Sequence, residues 1–277
     1  LCDWSSDVCS SDLIAVATTA AVVLLLVTGL AAVTWQKRQA ERARLVAEEL
    51  VDFLVGLFEA SDPEEAQGRT ITARELLAEG TARARELDAR PEVQVRLLDA
   101  MARAYLGLGD YALADSLATL ALERELDLRG DRHAEYADRL ATLAHARRAN
   151  GRELEAEALM RKALALLRHT LGDRHDRTTR AMLDLAWLLH ERTGYDEAEA
   201  LARKALDARI ARHGPENNEV ATAMETLATI LWYSGKDIEQ AETLFREAAD
   251  LRERLWSPND IRRSEERRVG KECRSRW

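Results

Sequence analysis

The feature that most limits what this chain can fold into is an internal repeat. Leu98, Leu140, Met182 and Met224 follow one another at steps of 42 residues, and Ala102, Ala144, Ala186 and Ala228 repeat those steps four residues later. A second set, Ala114, Ala156, Ala198 and Ala241, runs at 42, 42 and 43, as do Leu117, Leu159, Leu201, Leu244 and Ala121, Ala163, Ala205, Ala248. The additional residue of the last repeat therefore lies between Ala228 and Ala241. A period of this length marks an array of like units, each burying its apolar face against its neighbours.

Each period holds two helices. Apolar residues recur at helical spacing within it, and 13 Gly, 4 Pro and 5% aromatics in 277 residues disfavour sandwiches and barrels. Gly109, Gly151, Gly194 and Gly235 interrupt the pattern in mid-repeat; Gly130, Gly172, Gly214 and Ser257 interrupt it between repeats. The reading is helix A, a turn, helix B and a second turn. Ala102 and its equivalents let the helix B backbone approach helix A, while Ala114 and Ala121, on one stripe, do the same from the other side. No pair buries its stripe alone, so the units must stack.

The stretches GRELEAEALMRKAL at Gly151–Leu164 and GYDEAEALARKAL at Gly194–Leu206, with the loops LGDRH at Leu171–His175 and HGPEN at His213–Asn217, resemble the tetratricopeptide repeat in its long-period, kinesin-light-chain-like form. The resemblance covers about Val93 to Asp260 and implies an αα-hairpin, right-handed solenoid. The family's aromatic on helix A is kept only as Tyr105 and becomes Arg147, Leu189 and Leu231.

Ahead of the array, Leu13–Gln36 contains 24 residues without a charge, followed by Lys37, Arg38, Arg42 and Arg44, with Trp35 at the border. About 20 apolar residues at about 1.5 Å each span a bilayer, so residues 14–36 are expected to form a transmembrane helix. A secretory signal has a shorter apolar region, about 7–15 residues. The basic cluster favours its own flank, the array side, being cytoplasmic, but the flank that must be compared with it falls in residues 1–13, so the cluster leaves the orientation open. Leu45–Leu87 reads as a helix ending near Ser61-Asp62-Pro63 and a second starting near Thr70 or Thr72, where Thr72 and Glu75 have capping-box spacing. Ala73, Leu76 and Gly80 sit 41 residues before Ala114, Leu117 and Ala121, which makes this second helix a degenerate helix B.

The two ends do not continue this text. Arg263–Arg267 can be read from agatcggaagagc and Cys9–Leu13 from gctcttccgatct, strings that are reverse complements and resemble sequencing adapters. Residues 1–13 and 263–277 are therefore expected to be foreign to the gene. All three cysteines, Cys2, Cys9 and Cys273, lie there, so neither a disulfide nor a thiolate metal site is expected in the remainder. The expected organisation is all-α: a transmembrane helix at 14–36, juxtamembrane helices with a half-repeat at 37–92, and the array at 93–262.

The order of span, basic helix, VDFLVGLFEASDP at Val51–Pro63, ITARELL at Ile71–Leu77 and long-period repeats is similar to the C-terminal half of bacterial transmembrane serine/threonine protein kinases with a tetratricopeptide region. That resemblance implies a kinase domain ahead of the span, of which nothing is present here, and a single-pass membrane protein whose array is extracytoplasmic.

A net charge of −9 disfavours nucleic acid, whose backbone needs clustered Lys and Arg. There is no glycine-rich phosphate loop, H-x-x-x-H pair or G-x-S-x-G elbow. Arg174-His175-Asp176 holds the letters of a kinase catalytic loop in the wrong order, in the inter-repeat turn where Arg132-His133-Ala134 stands one repeat earlier. His133 and His175 do not make a metal site, because equivalent positions on stacked repeats do not converge and no four-ligand set surrounds them. Glu153, Glu155 and Glu157 read as a solvated face with i,i+4 Arg partners. Catalytic, cofactor and metal residues are thus expected to be absent.

The tetratricopeptide resemblance implies that helix A residues one and four after the small alanine line a concave groove. These are Arg103, His145, Trp187 and Thr229, and Leu106, Arg148, His190 and Trp232, with Arg96 and Arg180 earlier on the same face. Arg103, His145, Arg148, Trp187, His190 and Trp232 suit a protein or peptide partner with acidic or aromatic residues, since Trp and Arg are enriched at binding hot spots. The alternative is that both tryptophans belong to the inter-repeat core. Two functions fit: the sensor or docking region of a membrane-bound kinase, or a membrane-anchored scaffold of an envelope complex without a kinase. With none of the groups that phosphoryl transfer requires, the chain should show no micromolar ATP binding in a calorimetric titration.

Overall fold

The computed structural model describes residues 24–30, 33, 34, 36, 37, 41 and 72–255, Asp88 excepted. It divides into two compact units between Glu79 and Gly80. In the first unit, residues 24–30 are helical and exposed on every side. No helix among the described residues is long and apolar enough to cross a membrane. Most of the stretch 14–36 lies outside them, as do Ser61-Asp62-Pro63 and both adapter-like ends.

Among the described residues there are helices and turns but no strand. Helix α1 (Ala73–Arg85) starts at the expected capping box: Glu75 N–H donates to Thr72 Oγ1 at 3.2 Å and Thr72 N–H to Glu75 Oε2 at 2.9 Å. Its last turns belong to the second unit, where Thr81 and Ala84 are buried and the Gln94 amide donates to the Arg85 carbonyl. Four helix pairs follow: α2 (Pro91–Gly107) with α3 (Tyr111–Arg129), α4 (Ala134–Ala149) with α5 (Glu153–Leu171), α6 (Asp176–Glu191) with α7 (Tyr195–His213), and α8 (Asn218–Ser234) with α9 (Ile238–Leu255). Each of these helices packs on the next, α2 also meets α4, and α6 meets α8. The even-numbered helices are the A helices and the odd-numbered ones from α3 onward the B helices.

The alanine columns lie at the helix contacts. Ala102, Ala144, Ala186 and Ala228, Ala114, Ala156, Ala198 and Ala241, and Ala121, Ala163, Ala205 and Ala248 are all fully enclosed. Leu140, Met160, Leu167, Met182, Leu185 and Ile230 fill the space between them.

The turns carry one correction to the sequence reading. Gly109, Gly151 and Gly235 adopt φ of 77°, 73° and 67°, but in the third repeat the left-handed residue is Thr193 at 64°, while Gly194 has an ordinary φ of −78°. Counting by 42 from Gly151 leads to Thr193, so the backbone kept the register and the glycine moved one place. The hydrogen bonds agree. Gly151 N–H reaches Arg148 O and Arg152 N–H reaches Arg147 O; Thr193 N–H reaches His190 O and Gly194 N–H reaches Leu189 O. Both are Schellman closures, which need a left-handed residue at that point. The additional residue of the fourth repeat is now located: Asp237 caps α9 through its bond from Gln240 N–H, one place later than Asp110 caps α3, so Lys236 is inserted.

The inter-repeat turns follow a different rule. Gly130, Gly172 and Gly214 combine φ near 80° with extended ψ, a region essentially restricted to glycine. Three residues after each comes the next N-cap, His133, His175 or Asn217, whose side chain accepts from Tyr136, Arg177 or Glu219 N–H. The two histidines of the sequence reading are therefore helix caps.

A β-branched residue with positive φ is strained by about 1–2 kcal/mol, part of which glycine loses again through unfolded-chain entropy. Thr193→Gly should raise the unfolding free energy by about 0.5–1 kcal/mol, and Gly151→Ala should lower it by about 1 kcal/mol or more, both read by urea denaturation.

Candidate protein-binding face

The A helices place their variable residues along one face. Asp99, Arg103, Asp138, Arg139, His145, Arg177, Arg180 and Asp184 line a depression of about 330 Å³ over α2, α4 and α6. Arg180 and Asp184 also line its neighbour, which is completed by Leu183, Trp187, Arg209, Glu219, Thr222 and Thr226.

Of the six residues read from the sequence, the structure brings three into one cluster. The Glu191 carboxylate oxygen Oε1 accepts from Arg148 Nη1 at 2.7 Å and from Trp187 Nε1 at 3.1 Å. His190 lies against Trp187 with ring centroids 5.5 Å apart. Arg103 and His145 share the first depression, with His145 Nε2 3.5 Å from the Asp184 carboxylate. Trp232 stands apart. It is 47% exposed, and the ring that reaches His190 from α8 is its neighbour Tyr233, at 5.0 Å, with Tyr195 at 5.7 Å. Trp187 is 39% exposed, so neither indole is enclosed in the inter-repeat core.

Carboxylates paired with these cations were not singled out from the sequence. Arg103 lies 3.0 Å from buried Asp99, which also pairs with Arg139. Arg139 in turn approaches buried Glu125 at 3.9 Å. Arg177 pairs with Asp138, and Arg209, itself buried, donates to Thr179 Oγ1 and the Glu219 carbonyl and lies 3.0 Å from the Glu219 carboxylate. Burial holds the Arg209 guanidinium below its ordinary pKa despite Glu219. Arg180 is different: it is exposed, lines both depressions and has no hydrogen-bond or ion-pair partner among the described residues. The signal for these pairings was available only as acid and base residues on neighbouring repeats, which a linear pattern does not match up.

Another set of ion pairs joins successive B helices and turns. Arg161 donates to both Glu197 oxygens at 2.6 and 2.7 Å, Lys204 to Asp173 at 2.6 Å, and Lys236 to Glu199 at 3.1 Å. Glu157 bonds Arg161, its i,i+4 partner, at 2.9 Å, but also Arg192 of the next repeat. The expected solvated acidic face is thus partly an inter-repeat ladder. Asp176 of the kinase-like letters starts α6 and lies 2.5 Å from Nε2 of His213 at the end of α7, an ion pair within one repeat.

A tetratricopeptide-repeat family profile matches residues 136–211 and 193–254. Together the two matches span residues 136–254, less than half of the chain, and over that stretch the chain is similar to the tetratricopeptide repeat. Sixty solved chains match the structure. BtubC (BKLC) from P. vanneervenii superposes with a TM-score of 0.56 at 21% identity, over 68% of this chain and 76% of that one. A Podosopora anserina putative kinesin light chain with nearly identical TPR-like repeats superposes with 0.54 at 20% identity, over 65% and 86%, and a singly substituted form of it with 0.56, over 65% and 85%. At these identities the likeness shows the fold. No curated protein matches the sequence. Tetratricopeptide repeats are protein–protein interaction modules, which is what the match over residues 136–254 implies for that part of the chain.

The ladder predicts a pH response. Hydrogen bonds from Lys204 hold Asp173, and those from Arg161 hold Glu197, below the ordinary carboxylate range. A carboxyl depressed on folding stabilises the array fully above its unfolded value, and that share is lost as pH falls through the lower folded value. Thermal midpoints should therefore fall as pH drops below about 4. Glu197→Gln should flatten that decline, at a cost near neutral pH of no more than about 1 kcal/mol because the pair is solvent-screened.

Proposed function

We propose that the array docks a protein segment bearing acidic and aromatic side chains along its A-helix face, and that it does so as the membrane-anchored sensor or docking region of a bacterial serine/threonine kinase. The observation that carries the docking reading is the combination of Arg180, which has no carboxylate partner among the described residues, with the exposed rings of Trp187 and Tyr233 and the half-buried His190 between them, on α6 and α8. The other arginines of the face are largely neutralised by Asp99, Asp138 and Glu191, so Arg180 carries the attraction for a carboxylate. The indole offers apolar area with little rotamer entropy to lose, and the guanidinium offers forked donors. The curve of a stacked array turns this face into the inner surface, where Arg103, His145, Arg148 and Trp232 complete the contact.

Anchoring rests on the uncharged stretch Leu13–Gln36, of which residues 24–30 are helical with Leu24, Leu25, Leu26 and Leu30 exposed by two thirds. A helix with leucine exposed on all sides suits lipid better than water. The kinase reading rests on the order of segments, and the array then stands on the extracytoplasmic side. Reading the gene upstream of Ile14 tests it, since a kinase domain is expected there and its absence leaves the envelope scaffold.

The docking reading is tested with synthetic peptides that vary in acidic and tryptophan content, titrated against the full chain by fluorescence anisotropy. Acidic, aromatic peptides should bind most tightly, and Trp187→Ala should weaken them by about 2 kcal/mol with thermal stability nearly unchanged. A loss of about 3–5 kcal/mol of stability instead would make Trp187 a core residue and end this assignment.

A further inference from the structure

We propose, building on the docking reading above, that the depression over α2, α4 and α6 takes a phosphate monoester borne on a side chain of the docked segment, with Arg180 as its principal donor. Four guanidiniums, of Arg103, Arg139, Arg177 and Arg180, line the depression together with three carboxylates, of Asp99, Asp138 and Asp184. One positive charge is left over. His145 adds a second when protonated, imidazole being the side chain that changes charge between pH 5 and 8. A phosphate monoester carries a charge of about −1.5 to −2 at pH 7, whereas a carboxylate carries one.

The four arginines are not equally committed. Arg177 grips both oxygens of Asp138, and Arg139, only 11% exposed, pairs with Asp99. Arg103 lies 3.0 Å from Asp99 but keeps 64% of its side chain exposed, and Arg180 is exposed with no hydrogen-bond or ion-pair partner among the described residues. Burial, and with it repulsion from Arg180, hold the Arg209 guanidinium below its ordinary pKa against the pull of Glu219, so an anion on Arg180 also relieves a repulsion already present. Arg103 on α2, His145 on α4 and Arg180 on α6 thus face one space from three successive A helices. The three terminal oxygens of a phosphate meet donors from three walls at once, which the two coplanar oxygens of a carboxylate do not. Asp184 opposes the anion: it lines the same depression and lies 3.5 Å from His145 Nε2. Arg180 and Trp187 stand seven residues apart on α6, about 10 Å along its axis. An extended segment covers that distance in three residues at about 3.3 Å each, which sets the spacing between its phosphate and its aromatic ring.

The test uses three fluorescein-labelled peptides that carry tryptophan and, three positions away, phosphoserine, glutamate or serine, titrated against the full chain by anisotropy. The phosphoserine peptide is expected to bind about tenfold more tightly than the glutamate peptide, through its extra charge and its third acceptor oxygen. Arg180→Ala should bring it to within about twofold of the serine peptide, and Arg180→Lys should recover only part of the loss, because an ammonium lacks the fork. Asp184→Asn should tighten phosphoserine binding, the reverse of what damage to the fold does, and circular dichroism checks that each variant is folded. Inorganic phosphate alone should displace the phosphoserine peptide only at roughly millimolar concentration. If it competes as tightly as the peptide binds, the depression is a site for a free anion and the proposal is overturned. Equal affinity for the phosphoserine and glutamate peptides, or an equal loss for all three peptides with Arg180→Ala, overturns it while the docking of acidic, aromatic segments stands. Binding of none of the three overturns both.

Discussion

Close helix approach at the alanine columns is the constraint on which the array depends. Ala102, Ala114 and Ala121 and their nine equivalents are fully enclosed between packed helices. A larger side chain there would push the helices apart and strain the contact, as overpacking does in any dense core. Because the columns recur at a constant step, every repeat meets the next in the same phase. The variable side chains on the A helices, and the acids near the start of each B helix, inherit that phase.

Charge is used differently on the two layers. On the B helices and turns, acids such as Asp115, Glu157 and Glu199 bond forward to cations of the next repeat. Each such pair is worth little when solvated, but together they favour one stacking register over its neighbours. On the A-helix face, Asp99, Asp138 and Glu191 absorb most of the positive charge. Paired buried charges contribute selectivity more than net stability. Against that nearly balanced background, Arg180 and the rings of Trp187, His190 and Tyr233 are what a partner would read.

Much of this was legible in the chain itself. The four pairs, their glycine turns and the capping box at Thr72–Glu75 follow from spacing and local chemistry, which act within a few residues. Trp187 and His190 could be placed side by side from helical periodicity. The third mid-repeat turn could not be placed from its glycine, because stacking held the register and obliged Thr193 to take the left-handed conformation that Gly194 would have accepted more easily. The pairing of His190 with Tyr233 rather than Trp232 was also beyond a position-by-position reading. Those two rings lie on different helices, and a single-residue rotation about α8 decides which faces α6.

The sequence by itself determined the fold class, the number of repeats between Pro91 and Leu255, and which residues are small enough to sit at helix contacts. Those properties rest on periodicity and side-chain volume, and both can be read one residue at a time. The tertiary structure decided which charges are committed to neighbours and which remain available. Arg148 and Arg180 look alike in the chain, yet one is bound to Glu191 and the other has no partner among the described residues. Phe245 looks like Met160 in register, yet one is exposed and the other enclosed. Pairing and exposure depend on what lies across a repeat boundary, roughly forty residues away in sequence and a few ångströms away in space, and only the stacked array brings those partners together.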